Sequence, residues 1–88
     1  MKHLRIIVKG KVQGVFFRAS AKETADLLNI KGFAQNLPDG SVYIEAEGEE
    51  MLKQFIEWCK QGPPRAQVTK VDVQEGVLKN FEQFEIKR

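Results

Sequence analysis

The sequence predicts an α+β domain in which two helices cover one face of a small antiparallel sheet. Three observations support this: an alternating strand pattern near the amino terminus, two segments with apolar residues at helical spacing, and a length of 88 residues. A chain of that length buries roughly 60–65% of the surface that its unfolded form exposes, enough for one modest core. No repeat, low-complexity tract or linker divides the chain, so residues 1–88 are expected to form one domain.

The first strand and the first helix are predicted from periodicity. Apolar and polar residues alternate through residues 4–9, which indicates a strand whose sheet is covered on one side. A helix is predicted from about Ser20, with Ser20 and Glu23 as a capping box and Gly32 closing its carboxyl end. The positions expected at helical spacing are Ala21, Thr24, Ala25, Leu27 and Leu28.

A hairpin is predicted next. Residues 33–36 have the character of a short strand, Leu-Pro-Asp-Gly at 37–40 is typical of a tight turn, and residues 41–47 are the expected partner strand. Val42, Ile44 and Ala46 are expected to face the core. Tyr43, Glu45 and Glu47 are expected to face outward.

The second helix and the last strands complete the predicted order. Apolar residues recur at i, i+3, i+4 and i+7 from Leu52 to Cys59, and Gly-Pro-Pro at 62–64 ends this helix. Residues 68–74 form the next strand, in which Val68 is out of phase with the following valines and indicates a bulge or a late strand start. Residues 81–86 are expected to add a short final strand. The order βαββαβ is that of the ferredoxin-like sandwich.

Composition excludes several classes of protein. The single cysteine, Cys59, allows neither an intrachain disulfide nor a multi-cysteine zinc site. A formal net charge of +2 with interspersed signs is too mild for a nucleic-acid-binding surface. No apolar run is long enough to span a bilayer, and the amino terminus lacks the apolar core of a secretory signal. We therefore expect a cytoplasmic monomer without a nucleic-acid or membrane partner.

The loop between the first strand and the first helix carries the clearest functional signal. Residues 10–18 read Gly-Lys-Val-Gln-Gly-Val-Phe-Phe-Arg. A glycine-bounded loop before a helix can form a nest of backbone N–H groups that binds an anion, and the guanidinium of Arg18 can bind phosphate or carboxylate oxygens. The segment lacks the Gly-Lys-Ser/Thr of a nucleotide-binding P-loop and the third glycine of a dinucleotide fingerprint.

The same residues resemble the Gly-x-Val-Gln-Gly-Val-x-Phe-Arg signature of the acylphosphatases. The resemblance continues at residues 32–42, 62–66 and 84–86, and so covers nearly the whole chain. It implies the ferredoxin-like fold and hydrolysis of the carboxyl–phosphate bond of acyl phosphates to carboxylate and inorganic phosphate, without metal or cofactor. The resemblance also extends to acylphosphatase-like domains inside larger maturation proteins; a chain ending at Arg88 favours a free-standing enzyme.

The resemblance also implies a role for each site residue. Arg18 would bind the phosphoryl oxygens and Asn36 would orient the attacking water. The backbone N–H groups implied as the phosphoryl cradle belong to Gln13, Gly14, Val15, Phe16 and Phe17. In the predicted topology the first and second strands end at the same sheet edge, about 10 Å apart, so Arg18 and Asn36 can meet. The family usually carries other residues at positions 33–35, which leaves the packing around Asn36 open.

The remaining residues restrict the chemistry. The chain has no serine–histidine pair; Cys59 lies on an apolar helix stripe, and His3 has no partner at metal-ligand spacing. An enzyme of this composition needs a substrate whose leaving group departs unaided, and acyl phosphates meet that condition.

A non-catalytic alternative is an RNA-binding module, since ferredoxin-like sheets also bind RNA. Residues 31–34 match the opening of the RNP1 motif, but Gln35 and Asn36 interrupt it, and Tyr43 is the clearest candidate for an exposed stacking aromatic.

Overall fold

The fold is a five-stranded sheet covered by two helices, and the computed structural model describes all 88 residues. The elements in chain order are β1 (Lys2–Lys11), α1 (Phe17–Leu27), β2 (Lys31–Asn36), β3 (Val42–Gly48), α2 (Leu52–Gln61), β4 (Gln67–Gly76) and β5 (Phe84–Lys87). Neither helix has the length and apolar character that a bilayer-spanning helix requires.

The strands lie in the order β4-β1-β3-β2-β5. β1 and β2 both pair antiparallel with the intervening β3, so they run parallel to each other and end at the same sheet edge. β5 pairs parallel with β2, which makes the sheet mixed. The predicted ferredoxin-like fold class is confirmed, and the final strand is the element that adds a parallel pair.

The core lies between the sheet and the helices. Leu4, Ile6 and Val8 of β1 and the alternate residues of β3 belong to one buried cluster with the apolar faces of α1 and α2. Both helices therefore pack on the same sheet face, as the alternation in the strands predicted. The buried helix residues are Phe17, Ala21, Ala25, Leu52, Phe55 and Cys59.

The phase shift at Val68 is a β-bulge. Lys9 pairs with Lys70 and Gly10 with Val68, so one residue of β4, Thr69, has no partner on β1. Gly10 adopts a φ of 126°, and a β-carbon there would collide with the Gln67 carbonyl oxygen. The close approach of two backbones at the bulge therefore requires glycine at position 10.

The predicted ends of α1 are wrong. The helix begins at Phe17, and the Ser20 N–H donates to the Phe16 carbonyl oxygen at 3.0 Å, so Ser20 lies inside the first turn and caps nothing. The loop leads directly into the helix, with Phe16 at the N-cap position and no side-chain hydrogen bond capping the first turn. At the other end Asn29 takes the left-handed conformation, φ 57°, expected of Gly32, and Gly32 lies within β2. Leu27 is exposed.

The outer face of the sheet is covered at one end. Glu45 and Glu47 lie on that face as predicted, but both are buried because the connection between β4 and β5, residues 77–83, crosses over them. The Glu47 carboxylate accepts hydrogen bonds from the backbone N–H groups of Lys79 at 2.6 Å and Phe81 at 3.0 Å. Outward-facing residues of β3 are therefore not all solvated.

Candidate active site

The loop of residues 12–16, which we call the phosphate loop, joins β1 to α1. Gly14 has φ 73° and Phe16 has φ 64°, while Val15 between them does not have a positive φ. Such alternation of handedness is the geometry of a backbone nest, in which successive N–H groups point to a common concavity. The left-handed conformation costs a non-glycine residue about 1–2 kcal/mol, and the Phe16 side chain is 70% exposed. This strain lies at the last residue of the loop, where α1 begins.

The N–H groups of the phosphate loop have no backbone acceptor. No residue from 12 to 16 donates a backbone hydrogen bond, and the first bond of α1 runs from Ser20 to Phe16. The N–H groups of the first turn of α1 add the positive end of the helix dipole at the same place. That turn contains no acidic residue. The loop and the helix start therefore present a set of donors suited to an anion.

A cavity of about 320 Å³ opens over this loop. Its lining brings together Gly14, Phe16, Phe17, Arg18 and Asn36, which the sequence placed in the site. The further lining residues are Val12, Ala19, Ile86 and Arg88. Two arginine side chains and no Asp or Glu side chain line the cavity, so the side-chain charges favour an anion.

The two remaining predicted residues of the loop point their side chains elsewhere. Val15 is buried in the core. The Gln13 side chain crosses to the turn after β2, where its Nε2 donates to the carbonyl oxygens of Leu37 at 2.8 Å and Ser41 at 2.9 Å. The sequence assigned Gln13 and Val15 to the site through their backbone N–H groups. The positions of their side chains therefore do not affect that prediction.

Arg18 lies in the first turn of α1. Its Nη1 donates to the Lys87 carbonyl oxygen, 2.8 Å away at the end of β5. One arm of the guanidinium is therefore anchored by the carboxyl-terminal strand, while the other N–H groups can bind phosphoryl oxygens. The anchoring strand also contributes Ile86 to the cavity. The sequence does not indicate this wall of the cavity, because the pairing of β5 with β2 is long-range.

Asn36 is the last residue of β2, and the turn that follows is held by several hydrogen bonds. The Leu37 N–H donates to the Ser41 carbonyl oxygen at 2.9 Å, and the Gly40 N–H donates to the Leu37 carbonyl oxygen at 3.1 Å. The Asp39 carboxylate accepts from the hydroxyl and the N–H of Ser41, and these bonds lower its pKa below the ordinary value. A rigid turn fixes the backbone beside the Asn36 amide.

The residues in which the chain departs from the family pattern pack on both faces of β2. Ala34 is fully buried in the core, and the Phe33 ring lies on the outer face against Tyr43 and Phe81. Nothing bulky from these positions enters the cavity.

Both the hydroxyl and the ring of Tyr43, the aromatic residue considered for RNA stacking, make contacts within the protein. Its hydroxyl donates to Glu45 at 2.7 Å, and its ring packs on Phe33 with centroids 5.8 Å apart. Burial, together with the bond to Glu45, raises the pKa of Tyr43 to about 12. The outer sheet face therefore does not present this ring freely to a base.

The fold and the cavity together define a small phosphoryl-binding protein of the ferredoxin-like class. An anion nest at the end of β1, an arginine in the next helix and an asparagine at the end of β2 meet at one sheet edge. No cluster of three or more His, Cys, Asp or Glu side chains has the geometry of a metal site.

Comparison with known proteins identifies the family. The acylphosphatase family model matches residues 4–86. An acylphosphatase of Acaryochloris marina is 50% identical over 97% of this chain and 92% of the relative, and one of Archaeoglobus fulgidus is 49% identical over 94% of each. The chain belongs to the acylphosphatase family, whose reaction is the hydrolysis of acyl phosphates. The family and reaction predicted from the signature are confirmed.

Solved structures agree with this assignment. The crystal structure of acylphosphatase from Bacillus subtilis matches all of both chains with a TM-score of 0.97 at 41% identity. Full-length HypF matches with a TM-score of 0.86 at 32% identity, but the chain covers only 12% of it. These matches favour acyl phosphate hydrolysis over the RNA-binding alternative.

Proposed function

We propose that the phosphate loop, Arg18 and Asn36 together catalyse hydrolysis of the carboxyl–phosphate bond of a small acyl phosphate. The observation that carries this proposal is the cavity at the shared edge of β1 and β2. It combines a nest of uncommitted N–H groups, Arg18 and Asn36, and it has no acidic lining residue. A dianionic phosphoryl group is the ligand that this combination suits best.

The phosphoryl group is bound by main-chain and side-chain donors. The N–H groups of residues 13–17 contact its oxygens, and the dipole of α1 adds to the positive potential. Arg18 supplies a charged fork that is already oriented by its bond to Lys87. Because these donors are held in place before the reaction, they stabilise the developing charge with little reorganisation.

The attacking water is bound by the Asn36 amide, which can accept and donate a hydrogen bond at once. The water oxygen forms a bond to phosphorus in line with the leaving group, and the bond from phosphorus to the bridging oxygen breaks. The carboxylate leaves with that electron pair, and the proton lost from water passes to solvent or to the phosphate product. Since a carboxylate leaves without protonation, no general acid is needed.

Three further expectations belong to this proposal. The enzyme acts as a monomer, it is cytoplasmic, and it has a small-molecule substrate without a nucleic-acid partner. The mild net charge of +2 and the hydrogen bond of Tyr43 to Glu45 support the last of these, the lack of a nucleic-acid partner.

An assay with several acyl phosphates and one phosphate monoester, in excess chelator, tests the reaction. Turnover of the acyl phosphates is expected to persist, because no Asp, Glu or His side chain lines the cavity to hold a catalytic metal. The monoester, whose alkoxide leaving group needs a proton, is expected to react barely at all. Activity abolished by chelator and restored by Mg²⁺ would contradict the proposed mechanism.

A further inference from the structure

The Gln13 side chain connects the two halves of the active site. Its backbone belongs to the phosphate loop, while its Nε2 donates to the Leu37 and Ser41 carbonyl oxygens at 2.8 and 2.9 Å. Both partners are carbonyl oxygens, which only accept, so the amide nitrogen and not the amide oxygen must face them. The donor assignment therefore follows from the chemistry of the partners.

No other hydrogen bond joins the loop to the turn. The paired residues of β1 and β3 end at Val8 and Val42, before the phosphate loop begins. No backbone bond links residues 12–16 to residues 37–41. The position of the loop relative to the turn therefore depends, among polar contacts, on the Gln13 amide alone.

The turn that Gln13 contacts is the one that follows Asn36. The Leu37 carbonyl oxygen also accepts from Gly40, and the Ser41 carbonyl oxygen also accepts from Leu37, so the two acceptors are the closing groups of the turn itself. The Leu37 carbonyl belongs to the residue that follows Asn36, and the Ser41 carbonyl is hydrogen-bonded to the N–H of that same residue. The Gln13 amide thus contacts Asn36 indirectly, through the residue that follows it in the chain.

We infer that Gln13 is a positioning residue for hydrolysis, whose side chain sets the separation between the bound phosphoryl group and the water on Asn36. This inference rests on the proposed role of Asn36. In-line attack tolerates little error, since a displacement on the order of 1 Å at a reacting group can cost about 100-fold in rate. Gln13 therefore acts on turnover more than on phosphate binding, because Arg18 and the loop N–H groups bind phosphate without the turn.

The test compares Gln13→Met with the wild type and with Gln54→Met. Methionine has a similar length and no donor, and Gln54 is an exposed residue of α2 outside the site. For Gln13→Met we expect kcat on an acyl phosphate to fall about 10- to 100-fold, while the Kd of inorganic phosphate, measured by calorimetry, changes less than about threefold. Gln54→Met is expected to match the wild type in both measurements.

A double-mutant cycle with Asn36→Ala separates positioning from general stabilisation. If Gln13 acts through Asn36, the double variant Gln13→Met, Asn36→Ala is expected to be no slower than Asn36→Ala alone. If Asn36→Ala is strongly impaired and the rate losses of the two single variants multiply in the double variant, the role of Gln13 is overturned and the proposed function stands. An unimpaired Asn36→Ala would overturn both.

Two other results would also overturn the inference. One is an unchanged kcat in Gln13→Met, and the other is loss of phosphate binding in step with kcat, which would assign the side chain to the phosphoryl cradle. If Gln13→Met does not fold, Gln13→Asn serves instead, because its donor is one carbon shorter and cannot keep both bonds. The same cycle and the same outcomes then apply.

Discussion

At the scale of single residues, Arg18 shows how a charged side chain is prepared before substrate arrives. A long side chain at a helix start normally samples many rotamers, and fixing it costs up to about 2 kcal/mol of entropy. The 2.8 Å bond from Nη1 to the Lys87 carbonyl oxygen restricts it in the free protein. The guanidinium is therefore held in place before substrate binds. Donors oriented in advance stabilise developing charge most effectively, because they need not reorganise during the reaction.

Arg18→Ala is expected to lower kcat/KM and to weaken inhibition by inorganic phosphate together. In the proposed mechanism Arg18 contacts the phosphoryl group in substrate, transition state and product. Loss of a charged donor from a preorganised site costs on the order of 3–4 kcal/mol in the transition state. Steady-state kinetics with phosphate as a competitor measure both quantities. The exposed Arg65 offers a matched control, since Arg65→Ala removes an arginine outside the cavity. Turnover lost with phosphate inhibition intact would remove Arg18 from phosphoryl binding.

At the scale of elements, the two glycines of the signature have different structural roles. Gly10 belongs to the bulge between β1 and β4, where a side chain would meet the backbone of Gln67 and Thr69. Gly14 belongs to the phosphate loop, and nothing lies within 4 Å of where its β-carbon would be. One glycine therefore serves strand packing, and the other serves the shape of the nest.

This division predicts different stability effects. Gly10→Ala forces two strands apart and is expected to lower the free energy of unfolding by on the order of 3 kcal/mol. Gly14→Ala is expected to lower it by only about 1 kcal/mol, the strain of a left-handed alanine. Urea denaturation followed by circular dichroism compares the two variants. Equal losses of stability would contradict the assignment of Gly10 to the bulge.

At the scale of the whole molecule, a buried ionic cluster joins distant parts of the chain. His3 of β1 is enclosed, with its Nδ1 2.7 Å from Glu47 Oε2 and its Nε2 3.1 Å from Glu45 Oε1. Lys79 Nζ approaches the same Glu45 oxygen at 3.0 Å. The cluster links β1, β3 and residues 77–83, which precede the final strand. From the sequence alone His3 is only an isolated histidine.

Acid is expected to destabilise the protein through this cluster. Burial alone would raise the pKa of Glu47, but the backbone N–H groups of Lys79 and Phe81 and the His3 ring outweigh burial and lower that pKa below its ordinary value of 4.5. Glu45 is shifted in the same direction. The folded pKa is thus below the unfolded one, so this stabilisation is present above about pH 4.5 and is lost as the pH falls through the folded value.

Denaturation at pH 7, 5, 4 and 3 measures this loss, with Glu47→Gln and Glu57→Gln as a matched pair. Glu47→Gln leaves buried His3 with one carboxylate and is expected to cost on the order of 3 kcal/mol at pH 7. It is also expected to flatten the dependence on pH below 4.5, because the group that titrates has been removed. Glu57 pairs with Lys60 on the surface, so Glu57→Gln should change little. An unaltered acid profile in Glu47→Gln would show that other carboxylates dominate.

The amino-acid sequence by itself determined the order of the elements, the face that each buries and the family. Periods of two and 3.6 residues are local patterns, so they identify Leu4, Ile44 and Phe55 as core before any tertiary contact is known. The phosphate-loop signature is also local. The phase of Val68 indicated a bulge or a late strand start, because one extra residue reverses the side of the strand on which every later side chain lies, and the register shows the bulge.

Only the tertiary structure decided which residues, far apart in the sequence, are hydrogen-bonded to one another in the site and in the buried cluster. The bonds of Gln13 to Leu37 and Ser41 span 24 and 28 residues, and the bond of His3 to Glu47 spans 44. The parallel pairing of β5 with β2, which brings the Lys87 carbonyl oxygen to Arg18, spans most of the chain. A hydrogen bond or a buried ion pair depends on a distance of about 3 Å between groups that the sequence does not place together. That distance exists only after the sheet has set its register, which is why no local pattern could name these partners.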